Sequence, residues 1–90
     1  MRKIDLSKRA GQFLKDRQAK QAKQITQKIL SLGLNPMPHD SKKLTGTPYF
    51  RVDSGEFRII YDFSETMVRI ILIGKRNDDE VYRQLSNLVR

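Results

Sequence analysis

Ile4 and Leu6 flank Asp5 near the start of the chain, an alternation that predicts a short first strand. Ser7 stands where a helix needs an N-cap, and Ala10, Phe13 and Leu14 follow at helical spacing. Ala22, Ile25, Ile29 and Leu32 recur every three or four residues and mark a second helix with one apolar stripe, from which Lys20, Lys23, Gln24, Gln27 and Lys28 mostly fall away. Gly33 and Pro36 are expected to end it, a glycine and then a proline being the usual order of C-terminal stops. Residues 36–47 hold Pro36, Pro38 and Gly46, no period survives there, and a loop is predicted.

Three strand patterns follow, over residues 49–53, 57–63 and 67–73. Ser54 and Gly55 are read as the two central residues of the first turn, and the second turn is centred on Glu65. The third strand is apolar except for Arg69, as an interior strand covered on both faces would be. Asn77 or Asp78 can cap a closing helix, with Asp79 and Glu80 near its positive end and Val81, Leu85, Leu88 and Val89 forming its buried side. The expected fold is therefore α+β: strand, two-helix hairpin, three antiparallel strands and a C-terminal helix, with the helices packed on one sheet.

Composition narrows what such a fold can do. Ninety residues with 38% hydrophobic content support one core, so residues 1–90 are read as a single domain. The formal net charge is +8, which favours polyanionic partners: nucleic acid, an acidic protein or an anionic membrane. Most of the surplus is N-terminal, since residues 1–35 carry nine Lys/Arg against Asp5 and Asp16. The chain has no cysteine and a single histidine, His39, so disulfides, thiolate chemistry and His- or Cys-based metal centres are set aside and no metal or cofactor is expected. The longest apolar run, residues 70–73, is too short to cross a bilayer, and no apolar leader follows Met1-Arg2-Lys3. A soluble, cytoplasmic protein with no membrane partner is the expectation.

Candidate chemistry gathers on the first hairpin. With Ser54 and Gly55 at the turn, Asp53 would face Glu56 and Arg51 would face Arg58 across the strands. Opposed cations destabilise a sheet, which is easier to understand if an anion sits between them, and arginine forks match phosphate oxygens. The alternative is that Arg51 and Arg58 pair diagonally with Glu56 and Asp53 and decorate a solvated surface. Asp62 and Arg69 share that face and are read as a structural ion pair. Phe57, Ile59, Tyr61 and Phe63 fall on the reverse face and are assigned to the core. The basic outer surface of the second helix either contacts phosphates or is an ordinary solvated face. At the end of the last strand Lys75 and Arg76 emerge close to Tyr82, which either reaches the same ligand or packs with Leu85 and Val89.

Three strings, Lys43-Leu44-Thr45-Gly46, Gly55-Glu56-Phe57-Arg58-Ile59-Ile60-Tyr61, and Ile73-Gly74-Lys75-Arg76 running on to Glu80-Val81-Tyr82, resemble in order and spacing the RelE branch of the RelE/ParE toxin superfamily. The resemblance covers roughly residues 42–83. It implies a toxin of a type II toxin-antitoxin pair, with a cognate antitoxin as partner, that enters the ribosomal A site and cleaves messenger RNA there without a metal. In that mechanism the 2′-hydroxyl attacks the adjacent phosphate. Arg51, Arg58, Arg76 and Tyr82 match the family's site residues, and Lys20, Lys23, Lys43 and Lys75 are candidate RNA contacts. Asp53 departs from the pattern, standing where RelE has a second basic residue; it and Glu56 are the candidate bases, although nearby cations would weaken either. The ParE branch, which acts on DNA gyrase without cutting RNA, and a non-catalytic basic RNA-binding domain are the alternatives.

Overall fold

Ser7 acts as its position predicts: its Oγ accepts from the Ala10 N–H at 3.0 Å and so caps the first helix. The computed structural model describes residues 1–77 and 80–88. In chain order these form β1 (Lys3–Leu6), α1 (Lys8–Lys15), α2 (Ala19–Leu34), β2 (Lys42–Lys43), β3 (Phe50–Ser54), β4 (Phe57–Phe63), β5 (Met67–Lys75) and α3 (Glu80–Leu88). The α+β class matches the expectation, and so does the element order apart from the added β2. No helix among the described residues is long and apolar enough to cross a membrane. The candidate cap Asp78, the acidic Asp79 expected near the positive end of the closing helix, and Val89 lie outside the described residues.

The strands form one sheet in the order β1-β5-β4-β3-β2. Its last four strands are antiparallel, but β1 joins the edge parallel to β5, with Ile4 beside Val68. The chain connects these parallel neighbours through α1, α2 and the hairpin strands, which a reading of sequential antiparallel pairs does not anticipate. β2 lies in the stretch expected to be a loop, because two residues are too few to show a period.

Alternation along β4 and β5 gives the sheet two buried faces. On one, Val52, Phe57, Ile59, Tyr61, Val68, Ile70 and Ile73 pack beneath Ala10 of α1 and Ile25, Ile29 and Leu32 of α2. On the other, α3 lays Val81 and Leu85 over Ile60 and Leu72. That second patch is small, and it ends before Leu88, which is 47% exposed rather than buried. Between Ile60 and Tyr61 the register with β5 shifts: Ile60 faces Leu72 while Tyr61 faces Ile70, so Ile71 is the extra residue of a bulge.

Gly33 corrects the expected helix stop. It lies inside the last turn of α2, and a Cβ there would come within 3.1 Å of the Arg2 carbonyl oxygen. The Arg2 N–H donates to the Gly33 carbonyl at 2.9 Å, so the glycine allows β1 to lie against the helix. α2 runs on to Leu34, one residue farther, and Pro36 stands just beyond.

The hairpin also differs from the expected register. Ser54 pairs with Phe57 and Asp53 with Arg58, which places Gly55 and Glu56 at the two central positions. Gly55 has φ +59° and among the described residues no non-glycine residue has a positive φ, the signature of a two-residue turn with glycine first. Gly55→Ala should therefore destabilise the fold by about 1–2 kcal/mol, the cost of forcing a Cβ into left-handed backbone. Urea unfolding checks this, and an unchanged midpoint would contradict the turn geometry.

Candidate functional site

The true register replaces the expected confrontation of two arginines with an ion pair. Arg58 faces Asp53, and Arg51 faces Ile60 one pleat farther along β3. All three still share one sheet face, because a shift of two positions preserves the alternation. Arg58 donates from Nε to Asp53 Oδ1 at 2.8 Å and from Nη2 to Oδ2 at 3.3 Å, a two-point grip that leaves its side chain 14% exposed. Its Nη1 donates to the Tyr82 hydroxyl at 2.6 Å, and its Cζ lies 5.7 Å from the centre of the Tyr82 ring. The Tyr82 ring packs on the patch of Ile60, Leu72 and Leu85, as the core reading of it expected, and its hydroxyl accepts from the arginine.

Electrostatics follow from that contact. The hydrogen bonds from Arg58 hold Asp53 below the usual carboxylate range against the opposing effect of burial, and the charges of Arg58, Arg51 and Arg76 lower it further. Arg58 is raised in turn, chiefly by the hydrogen bonds it donates to Asp53. A carboxylate held ionised in this way is a poor proton acceptor. Glu56 is exposed at the turn, and its carbonyl accepts the Arg76 N–H at 2.9 Å, which ties the end of β5 to the hairpin. Arg58, Arg76, Arg51, Asp53, Glu56 and Tyr82 are thereby gathered at one end of the sheet.

The candidate lysines divide. Lys43 pairs with Phe50 and so takes the parity of the helix-covered face, whereas Lys42 pairs with Arg51. Lys42, Arg51, Asp53 and Asp40 line a cleft of about 130 Å³, which makes Lys42 the basic residue that sequence reasoning missed. The adjacent Lys42-Lys43 pair was its only signal, and an unrecognised two-residue strand hid which member faces the site. Lys20 and Lys23 are exposed on α2, in the layer across the sheet from Arg58. Lys75 pairs with Phe57 and also faces the helix side. Arg69 is bound through Nε and Nη2 to Asp62, as expected of a structural pair. The aromatic run is core: Phe57 and Tyr61 are buried, and Phe63 stacks on Tyr61 at its margin. Among the described residues no group of three or more acidic or histidine side chains is placed to hold a metal.

No family model matches the chain, and no curated protein sequence matches it. Solved structures do. An arginine-to-alanine double mutant of Escherichia coli RelE in the free state superposes with a TM-score of 0.77 at 21% identity, over 99% of this chain and 98% of that one. The toxin-antitoxin complex RelBE2 of Mycobacterium tuberculosis gives 0.74 at 18% identity, over 83% and 98%. The RelE-RelB complex of the archaeon Pyrococcus horikoshii gives 0.71 at 20% identity, over 83% and 94%. The chain has the RelE toxin fold, and the resemblance read from its sequence holds at that level.

Because Asp53 has a depressed pKa in the folded chain, the stability it contributes is full above the ordinary carboxylate value of 3.8 and is lost as pH falls through the lower folded value. Its side chain is 36% exposed, so solvent screens the pair. Asp53→Asn should cost about 0.5–1 kcal/mol at neutral pH and nothing at the acid end of that window. Thermal unfolding across pH tests this, and a difference that persists undiminished in acid would count against the ion pair.

Proposed function

We propose that this chain is the toxin of a type II toxin-antitoxin pair and that it cleaves messenger RNA in the ribosomal A site by metal-independent attack of a 2′-hydroxyl on the adjacent phosphate. The observation that carries this reading is the Arg58 guanidinium, fixed between Asp53 and Tyr82 beside Arg51 and Arg76 on a RelE fold. Donors fixed before reaction and aimed at developing charge are usually the largest catalytic contribution. Arg58 and Arg76 stabilise the phosphorane-like transition state, while Arg51 and Lys42 hold the flanking phosphates. The Tyr82 oxygen accepts from Arg58, so its own proton is directed elsewhere and can pass to the departing 5′-oxygen. Asp53 orients Arg58. Glu56 is then the carboxylate left to take the 2′-hydroxyl proton, and the products are a 2′,3′-cyclic phosphate and a 5′-hydroxyl. The M. tuberculosis structure is a toxin-antitoxin complex and the P. horikoshii one a RelE-RelB complex, which supports a cognate antitoxin for this chain; a ribosome-dependent activity would place it in the cytoplasm.

Purified protein added to programmed ribosomes should cut the message in the A site, and mapping the RNA ends should return that pair of termini. Arg58→Ala and Arg76→Ala should each lower the cutting rate ~10²–10³-fold. Tyr82→Phe keeps the ring but loses the proton, and should cost about 10²-fold. Uncut ribosomes together with inhibited gyrase supercoiling would replace this reading with a ParE-type activity. If neither occurs and RNA is merely bound, the chain is a passive RNA-binding domain.

A further inference from the structure

A second cationic site lies where β5 outruns its edge partner. β1 pairs with β5 only as far as Ile70, and Ser7 then closes the contact by donating from its N–H to the Ile70 carbonyl at 3.0 Å and from its hydroxyl to the Ile71 carbonyl at 2.6 Å. Beyond that point α1 on one face and α3 on the other flank the bare end of β5, leaving a groove of about 690 Å³. Arg9 enters it from α1, Arg17 from the turn just after that helix and Lys75 from the strand, over a floor that includes Phe13 and Ile73. Asp16 also lines it, held at 3.0 Å by the Gln12 amide.

Arg17 is the feature that points to a ligand. Its Cζ lies 4.3 Å from the centre of the Phe13 ring, and Phe13 in turn meets Phe57 edge-on, so the guanidinium is held by packing. Its Nε is buried without a hydrogen-bond partner, the single such side-chain atom among the described residues. Buried donors are nearly always paired, yet no protein acceptor among the described residues meets this nitrogen, and Arg17 is among the side chains that line the groove. Arg9 donates from Nη1 to Gln84 Oε1 at a long 3.4 Å. Lys75 and Arg76 are consecutive, yet Lys75 lines this groove while Arg76 lies within electrostatic reach of Asp53. Neighbouring cations on one strand end therefore serve both places.

We propose that the groove binds the phosphodiester backbone of single-stranded RNA as it leaves the Arg58 site around the end of β5, with Arg17 as the phosphate fork and Arg9 and Lys75 as flanking charges. The direction of the strand rests on the RNA-cleavage reading. RNA is favoured over an acidic protein segment because the groove offers mainly donors, which suit phosphate oxygens, whereas a protein partner anchors chiefly through apolar and aromatic side chains in pockets.

The test pairs a binding assay with the ribosome assay. A short oligouridylate should shift the backbone amide signals of α1 and of residues 73–75, and Arg17→Gln and Lys75→Gln should each weaken its binding about 3- to 10-fold and reduce the salt slope by about 0.7. Arg17→Lys, which keeps the charge but not the fork, should recover only part of the affinity, and thermal unfolding of each variant separates this from misfolding. Unchanged affinity and slope in both glutamine variants would overturn the proposal. So would groove signals that respond to polyglutamate but not to oligouridylate, since these mark a site for an acidic protein. If the unaltered chain cuts message and the variants bind and cut as it does, the groove assignment fails alone. If the variants lose oligouridylate while the unaltered chain leaves ribosomes uncut, the groove stands and the cleavage reading falls.

Discussion

The grip of the Asp53 carboxylate on Arg58 is the interaction on which the geometry of the site depends. It fixes a guanidinium that the strand alone would leave free to sample many rotamers, and it sets the side from which Tyr82 meets it. It also settles how Asp53 can act. A carboxylate bonded twice to one arginine and surrounded by two more stays ionised into acid, which makes it a good orienting group and a weak base.

That contact depends on a register, and the register depends on one glycine. In the sequence, Ser54-Gly55 and Gly55-Glu56 are both plausible turn centres, and each leaves Arg51, Asp53 and Arg58 on the same face. The residues of the site could thus be read from alternation, while their partners could not. Gly55 decides the matter by taking the left-handed conformation at the first central position, so that Asp53 rather than Arg51 opposes Arg58. Periodicity resolves faces; pairing also needs the turn's backbone angles, which no side-chain pattern displays.

Other features were legible to the extent that they were local. The Ser7 cap, the stripe of α2, the aromatic core face and the Asp62–Arg69 pair follow from neighbouring residues or from alternation. The parallel docking of β1, the burial of Gly33 against Arg2 and the pairing of Lys42 with Arg51 all join segments distant in sequence. For the same reason the groove behind Lys75 went unnoticed. It exists because β1 is shorter than β5 and two helices from opposite ends of the chain meet around the difference.

The buried hydroxyl of Tyr61 donates to the Pro36 carbonyl at 2.7 Å. Tyr61 belongs to the helix-covered side of the sheet, and Pro36 begins the segment that leads into β2. With only two paired residues, β2 has little hold of its own, so this anchor helps to decide where the segment is released and hence where Lys42 arrives. A phenol on one side of the sheet thereby steers an ammonium on the other, and the hydrocarbon interior acts as the lever between them.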